Sequence, residues 1–292
     1  MLRSAATAML LAGLILPACT ADEPATNNSA DLAARPFDVV VPASYDAQQP
    51  APLIVLLHGF GSDATAVAEY FGIDALAQQR GFLYVVPTGT PDAAGQPFWN
   101  ATDACCDLDG IGPDDAGYLS ALVEQVQADY SIDPKRIYFV GHSNGGFMSY
   151  RMACDHADQV AAIVSLAGAT WADPAACAPL QPVSVLQIHG TADGVIAYDG
   201  GAFAGHVQPG ALANVETWAT YNGCSSTFTT TDGALDLDTS NAGAETSVLA
   251  YTGCPAAGAV ELWSIAGGAH SPALSDSFTA SLVDFLLAHP KA

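Results

Sequence analysis

The chain has 292 residues, and half of them are apolar, which is enough to fill one large core. Its length beyond the N-terminal region suits a single α/β domain. The formal net charge is -23, with 7 lysines and arginines against 30 acidic residues, so the surface is predicted to repel nucleic acids and anionic lipids.

The N-terminal segment has the features of an export signal. A basic start is followed by an apolar run and then by small residues before Cys19, which predicts a signal peptide over residues 1–19. The sequence LPAC resembles the lipobox of bacterial lipoproteins, in which Cys19 is lipidated and would anchor the chain to a membrane. Free release is the alternative, because Pro17 is unusual in a lipobox. Residues 20–34 predict a flexible tether, and residues 35–292 predict the folded domain.

Apolar runs and helical patterns alternate along that domain, which predicts a mostly parallel sheet with helices on both faces. Buried strands are predicted at 51–61, 81–87, 136–140, 160–166 and 183–188. Helices are predicted at 63–79, with Asp63 as N-cap, within 112–130, and at 145–156, 210–221 and 273–288. The segment 228–265 alternates and carries glycine turns, which predicts strands at the sheet edge.

The strand at 136–140 runs into GHSNG, residues Gly141 to Gly145, and a helix follows with no linker. This is the G-x-S-x-G pattern of a nucleophile elbow. Such a turn holds its serine in a strained conformation and exposes the hydroxyl above the strand ends. The positive end of the following helix favours negative charge that develops nearby. Ser143 is therefore the predicted nucleophile.

A serine hydroxyl needs a base to take its proton, and in this arrangement the acid and then the histidine follow the serine along the chain. Asp193 and His270 each follow a predicted strand, at the sheet edge where parallel sheets place their sites. They are the predicted acid and base, and Asp199 is the alternative acid. Three other histidines beside strand ends are interpreted as structural residues of the loop layer: His58, His142 and His189.

Two backbone N–H groups are predicted to form an oxyanion hole. One belongs to Asn144, next to the nucleophile, and the other to Phe60 in the HGFG turn after the first core strand, with Gly59 as the alternative. Trp99 lies in the loop after the second core strand. It is a candidate for the substrate pocket, and packing against disulfides is the alternative.

The cysteines other than Cys19 are even in number, which predicts disulfides in an exported chain. A zinc site is disfavoured because no C-x-x-C pair occurs. The adjacent Cys105 and Cys106 are not expected to bond each other, because so small a ring is strained. The six cysteines are Cys105, Cys106, Cys154, Cys177, Cys224 and Cys254.

Several separated segments together resemble the poly(3-hydroxybutyrate) depolymerase-like esterases, a group that also contains feruloyl and acetylxylan esterases. They are LIVLLHGFGS, FWNATDACCD, DDAGYLSALVEQVQADYSIDPKRIYFVGHSNGG, HGTADGVIAYDGG and IAGGAH. The resemblance implies an α/β-hydrolase fold and a triad formed by the serine, acid and histidine named above. It also implies a bond between Cys224 and Cys254. Each of the two adjacent cysteines would then pair with either Cys154 or Cys177.

The residues and the resemblance together predict an exported or lipid-anchored serine carboxylesterase that works through an acyl-enzyme. Its expected substrates are hydroxyalkanoate oligomers or polyester, or feruloyl or acetyl esters of plant polysaccharide. A serine peptidase of the oligopeptidase type and a non-catalytic binding protein with this fold are the alternatives. The predicted chemistry requires neither a metal nor an organic cofactor.

Overall fold

The structure is a computed structural model, and it describes Met1 and residues 32–292. Apart from Met1, the predicted signal peptide with Cys19 lies outside the described residues, and so does the predicted tether up to residue 31. None of the helices in the described part of the chain combines the length and apolar character that a membrane crossing requires.

A central sheet and two small hairpins account for the strands among the described residues. These strands are β1 (Val39–Val40), β2 (Ala51–Leu57), β3 (Leu83–Val85), β4 (Thr90–Pro91), β5 (Pro97–Phe98), β6 (Ile132–His142), β7 (Ala162–Leu166), β8 (Ser184–Gly190), β9 (Gly201–Phe203), β10 (His206–Gln208), β11 (Phe228–Leu235), β12 (Thr246–Tyr251) and β13 (Val260–Ile265). The sheet has the order β1-β3-β2-β6-β7-β8-β13-β12-β11. Its central strands, β3 to β13 in that order, are parallel, and β1, β12 and β11 pair antiparallel at the two edges.

Helices cover both faces of this sheet, as the sequence predicts. In chain order they are α1 (Ala64–Phe71), α2 (Ile73–Arg80), α3 (Asp115–Asp129), α4 (Asn144–Asp155), α5 (Ala211–Tyr221) and α6 (Asp276–Ala288). Buried residues of α3, α4 and α5 belong to one core cluster, and those of α1, α2 and α6 belong to the other.

Strand β2 shows how one apolar run serves both cores. Every residue of this strand is buried. Leu53, Val55 and Leu57 pack into the cluster with α3, α4 and α5, whereas Ile54 and Leu56 pack into the opposite cluster. Successive side chains of a strand point to opposite faces, so a sheet that is covered on both sides needs a continuous apolar run.

The predicted helix over 63–79 is two helices in the structure. Asp63 caps the first one as expected, because its side chain accepts a hydrogen bond from the Ala66 N–H. Gly72 then adopts a left-handed conformation, with φ of 59°, and ends α1 before α2 begins. An isolated glycine does not by itself end a helical pattern, so the sequence pattern continues through this break.

The segment 228–265 forms strands as predicted, but only part of it lies at the sheet edge. Strands β11 and β12 are the edge strands, while β13 pairs parallel with β8 inside the sheet. The parallel pairing of β13 with β8 matters for the site, because the loops that follow these two strands are then neighbours at the same edge of the sheet.

The cysteine pairing corrects one prediction. Cys224 bonds Cys254, as the resemblance implies, but Cys154 bonds Cys177 and the adjacent Cys105 and Cys106 bond each other. The expectation that the adjacent pair would be divided was wrong. Residue 154 near the end of α4 lies beside the loop after β7, at a Cα–Cα distance of 5.8 Å that suits a disulfide.

Candidate active site

The turn between β6 and α4 has the predicted elbow geometry. Ser143 stands between the strand and the helix with φ of 53° and ψ of -121°, a region that few residues other than glycine occupy. Its N–H donates to the Leu166 carbonyl at 2.8 Å, which fixes the turn against β7. A Cβ on Gly141 would overlap the Gly145 backbone, and one on Gly145 would overlap the Leu57 carbonyl. The flanking glycines are therefore required by the close approach of the helix to the strands.

The structure brings together the three side chains that the sequence singles out. The His270 Nε2 lies 3.0 Å from the Ser143 Oγ, and the His270 Nδ1 lies 2.8 Å from the Asp193 Oδ2. Asp193 and His270 come from the loops after β8 and β13, which are neighbouring strands. The alternative acid, Asp199, is exposed, whereas Asp193 is buried.

Hydrogen bonds hold the Asp193 carboxylate in place. Its Oδ1 accepts from the N–H groups of Val195 and Ile196, at 2.8 and 2.9 Å. Burial by itself raises the pKa of this carboxyl and is the largest single effect. Hydrogen bonds from His189, His270 and the Val195 N–H together outweigh it and hold its pKa well below the ordinary value. The group is therefore ionised at neutral pH, and it can stabilise positive charge on the His270 ring.

The predicted oxyanion donors are the N–H groups of Asn144, which follows Ser143 in the chain, and of Phe60, which lines the same cavity as Ser143. Asn144 is the first residue of α4, so its N–H is one of those in the first turn that have no acceptor within the helix. Phe60 lies in the turn after β2, and its N–H donates no hydrogen bond within the described part of the chain. The same is true of Gly59, whose backbone is close to the Ser143 side chain, so both residues of the turn stay candidates.

His58 fixes the turn that carries Phe60. Its Nδ1 donates to the Gly59 carbonyl at 2.7 Å, and its Nε2 accepts from the Gly89 N–H at 2.9 Å. Burial lowers its pKa, so the ring stays neutral and keeps one donor and one acceptor. The residue therefore has a structural position beneath the site.

A cavity of about 360 Å³ opens beside the serine. Helix α1 forms one wall of it through Ala66, Val67 and Tyr70. Tyr70 follows Ala66 by four positions and Val67 by three, so all three lie on one face of the helix. Sequence reasoning did not name these residues, although their spacing directly after the HGFG turn was a usable signal. The remaining lining residues are Gly59, Phe60, Ser62, His142, Ser143, His270 and Ser271.

His142 lines this cavity beside the catalytic candidates. Its Nε2 donates to the His270 carbonyl at 2.9 Å, and the centre of its ring lies 5.0 Å from that of His270 and 5.4 Å from that of Tyr70, with the ring planes tilted. Burial is the main reason why its pKa is lowered to about 4. At neutral pH this histidine therefore presents an uncharged ring to the cavity.

Trp99 does not line the cavity, so of its two predicted roles the structure favours packing near the disulfide over contact with substrate. The side chain is 0% exposed, and its Nε1 donates to the His58 carbonyl at 3.1 Å. The Trp99 backbone pairs with the Asn144 side chain: its N–H donates to the Asn144 Oδ1 at 2.7 Å, and its carbonyl accepts from the Nδ2 at 2.8 Å. Trp99 thus supports the elbow from within the core, close to Cys105 and Cys106.

The site carries the parts that acyl transfer needs: a serine on a strained turn, a histidine and a carboxylate in series, and backbone donors beside the serine. Among Met1 and residues 32–292, no three histidine, cysteine or acidic side chains are grouped so that they could hold a metal ion.

Comparisons with known proteins relate this chain to a family of esterases. Residues 39–225 match the family model described as phospholipase/carboxylesterase. A putative esterase, NocK, from Nocardia uniformis subsp. tsuyamanensis is 32% identical over 149 residues, which are 51% of this chain and 42% of that protein. Feruloyl esterase B from Piromyces equi is 30% identical over 65% of this chain and 36% of its own length. The chain thus aligns with less than half of either protein.

Feruloyl esterase C from Emericella nidulans aligns over most of both proteins, with 28% identity over 81% of this chain and 82% of its own length. Among solved structures, an acetyl xylan esterase from Aspergillus awamori superposes with a TM-score of 0.60 and 15% identity, over 86% of this chain and 93% of that one. At this identity the superposition shows the shared fold. Because the family model covers more than half of the chain, the protein belongs to the phospholipase/carboxylesterase family and has the α/β-hydrolase fold.

Proposed function

We propose that this protein is an exported serine carboxylesterase that removes feruloyl or acetyl groups from plant polysaccharide through an acyl-enzyme. The observation that carries the proposal is the continuous series from Ser143 through His270 to Asp193, with distances of 3.0 and 2.8 Å. The substrate class is supported by the names of relatives, above all the feruloyl esterase C that aligns over 81% of this chain.

In the proposed mechanism, His270 takes the proton of Ser143 through Nε2 as the Oγ attacks the ester carbonyl. Asp193 keeps the ring oriented through Nδ1 and stabilises the charge that the ring gains. The new oxyanion accepts hydrogen bonds from the N–H of Asn144 and from that of Phe60 or Gly59, each typically worth about 3 kcal/mol. His270 then gives its proton to the leaving alcohol, and water repeats these steps on the acyl-enzyme.

The cavity suits this chemistry because it begins at the serine and is walled by small and apolar side chains of α1. Its volume of about 360 Å³ leaves room for one acyl or aromatic group next to the reacting carbonyl. The neutral ring of His142 adds no charge to this wall, which suits an uncharged ester group.

Export is part of the proposal. The disulfides Cys154–Cys177 and Cys224–Cys254 suit an oxidising compartment, and the N-terminal sequence has the pattern of a signal peptide. We accordingly assign residues 35–292 to the mature catalytic domain and residues 20–34 to a tether. Intact-mass analysis of the exported protein would detect removal of the signal peptide and, where the lipobox is used, a mature chain that begins at an acylated Cys19.

The decisive test is Ser143→Ala, assayed on p-nitrophenyl esters, methyl ferulate, acetylated xylan and hydroxybutyrate oligomers. We expect hydrolysis by the wild-type protein and a loss of more than about 1000-fold in the variant, because triad residues act as a unit. Ser149→Ala is the matched control, since Ser149 lies in α4, the helix directly after Ser143, and its hydroxyl donates to the Gly145 carbonyl. Retention of a tenth of the activity by Ser143→Ala would contradict the assignment.

Two further readouts separate the alternatives. A fluorophosphonate probe should label Ser143 in the wild-type protein, whereas a non-catalytic binding protein would stay unlabelled. Faster cleavage of peptide than of ester substrates would favour a peptidase. A preference for hydroxybutyrate oligomers over methyl ferulate and acetylated xylan would contradict the proposed substrate class while leaving the esterase mechanism intact.

A further inference from the structure

A buried hydrogen-bond chain continues behind Asp193, away from the cavity. His189 lies at the end of β8, four residues before Asp193, and is 1% exposed. Its Nε2 lies 2.8 Å from the Ile196 carbonyl and 3.2 Å from the Asp193 Oδ2. This is the same carboxylate oxygen that bonds the His270 Nδ1, so Oδ2 stands between two histidine rings.

The contact between the His189 Nδ1 and the Gln187 side chain determines which of the two ring nitrogens carries the proton. Its Nδ1 lies 3.0 Å from the Gln187 Nε2, and that amide nitrogen also donates to the Gly168 carbonyl at 2.9 Å. The Gln187 Oε1 accepts from the Tyr150 hydroxyl at 2.8 Å. Turning the amide over would set its oxygen against the Gly168 carbonyl. Because an amide nitrogen only donates, the His189 Nδ1 must accept, and its proton is therefore on Nε2.

With this proton on His189, both oxygens of the Asp193 carboxylate have two hydrogen-bond donors within reach. Its Oδ1 accepts from the Val195 and Ile196 N–H groups. Its Oδ2 has the His270 Nδ1–H on one side and, on the other, the His189 Nε2–H, which it shares with the nearer Ile196 carbonyl. Without the proton on the His189 Nε2, Oδ2 would keep the His270 ring as its only donor among the described residues. The carboxylate could then turn away from the position that orients the base.

We propose that His189 is a positioning residue of the esterase site, held by Gln187 and Tyr150 in its neutral Nε2–H form so that it keeps Asp193 ionised and aimed at His270. This inference rests on the proposed function. The network spans three elements of the fold: Tyr150 is on α4, the helix that follows the nucleophile, Gln187 and His189 are on β8, and the acid is on the loop beyond. The fall in the pKa of Asp193, to which the hydrogen bond from His189 contributes, is in line with this role.

The test compares His189→Asn with His189→Gln. A glutamine nitrogen reaches about as far as the histidine Nε2 and can still donate to Asp193, whereas an asparagine nitrogen stops near the Nδ1 position. We expect His189→Asn to lower kcat by about tenfold or more, since hydrogen bonds to charged groups are among the stronger ones. KM should change less than threefold, because His189 does not line the cavity. His189→Gln should recover at least a third of the wild-type kcat.

Both variants are assayed on the p-nitrophenyl ester that the wild-type protein hydrolyses fastest, with thermal melts alongside. If Asn and Gln lower kcat equally, or lower it only in parallel with melting temperature, His189 has a packing role and the inference is wrong. If His189→Asn keeps full kcat while Ser143→Ala is inactive, this inference fails and the proposed function stands. Activity in Ser143→Ala would contradict the proposed function itself.

Nitrogen-15 NMR of the wild-type protein gives a test that does not depend on how the variants fold. At neutral pH we expect the His189 Nε2 to be protonated and its Nδ1 to be bare. A bare Nε2 would overturn the inference, because the ring would then have no proton to offer to Asp193. A proton on both nitrogens would also overturn it, because the Nδ1 could then not accept from Gln187.

Discussion

Acid should destabilise this protein partly through one histidine beside the active site. Burial lowers the pKa of His142 from 6.5 to about 4 in the folded protein, whereas the unfolded chain keeps the ordinary value. Above pH 6.5 the ring is neutral in both states. Between pH 6.5 and about 4 the unfolded chain binds a proton that the folded protein does not, so the free energy of unfolding falls as the pH drops. Below about pH 4 both states are protonated and the loss is complete.

The size of this loss follows from the shift. At about 1.4 kcal/mol for each pKa unit, the change from 6.5 to about 4 corresponds to roughly 3 kcal/mol. That is a substantial part of the stability of a typical domain, which is about 5–15 kcal/mol. The His142 contribution should therefore be visible even though many acidic groups titrate in the same range.

The assay is urea unfolding, followed by tryptophan fluorescence, of the wild-type protein and His142→Gln between about pH 7.5 and pH 4. The glutamine nitrogen can keep the hydrogen bond to the His270 carbonyl but does not titrate. His58, whose pKa is also lowered by burial, and the carboxylates are common to both proteins and cancel in the comparison. We expect the wild-type protein to lose about 3 kcal/mol more than the variant over this range. Parallel curves, within about 1 kcal/mol, would refute the reasoning.

Two other predictions concern the stability of the fold. Gly145→Ala should cost about 1–3 kcal/mol in urea unfolding, because the new Cβ overlaps the Leu57 carbonyl, while Gly194→Ala, where a Cβ meets nothing within 4 Å, should change stability by less than about 0.5 kcal/mol. Equal effects of the two would contradict the packing argument. Replacing both Cys154 and Cys177 by alanine should lower the free energy of unfolding by about 3 kcal/mol, given their separation of 23 residues. Mass mapping of unreduced peptides checks the pairing, which a link from either residue to another cysteine would contradict.

The architecture could be predicted because it depends on patterns of many residues. Apolar runs such as the one in β2 are long enough to show a strand buried on both faces, and the turn around Ser143 combines a strand, two flanking glycines and a helix in one short segment. Asp193 and His270 could be singled out because each follows a strand and they come in the order acid, then histidine, after the serine. Parallel strands bring the loops that follow them to one edge.

What the sequence could not show depends on contacts between distant segments. Trp99 lies in a loop near the site, but whether its ring faces the cavity or the core is decided by the hydrogen bonds of its backbone to Asn144. The cysteine pairing likewise depends on how the end of α4 packs against the loop after β7, which brings Cys154 to Cys177. The argument from ring strain considered only Cys105 and Cys106, and it could not show that Cys154 lies within bonding distance of Cys177.

Asn144 joins two parts of the protein that would otherwise open independently. Asn144 is the first residue of α4, next to the nucleophile. Its side chain forms two hydrogen bonds with the backbone of Trp99, in the loop after β5. Local opening of either part must break the same buried pair, so the loop and the elbow should belong to one cooperative unit in hydrogen exchange. The Trp99 amide should then exchange as slowly as those in the core of α4, although it lies in a loop. The loop beside the nucleophile would thus be as resistant to local opening as the core of the helix that follows it.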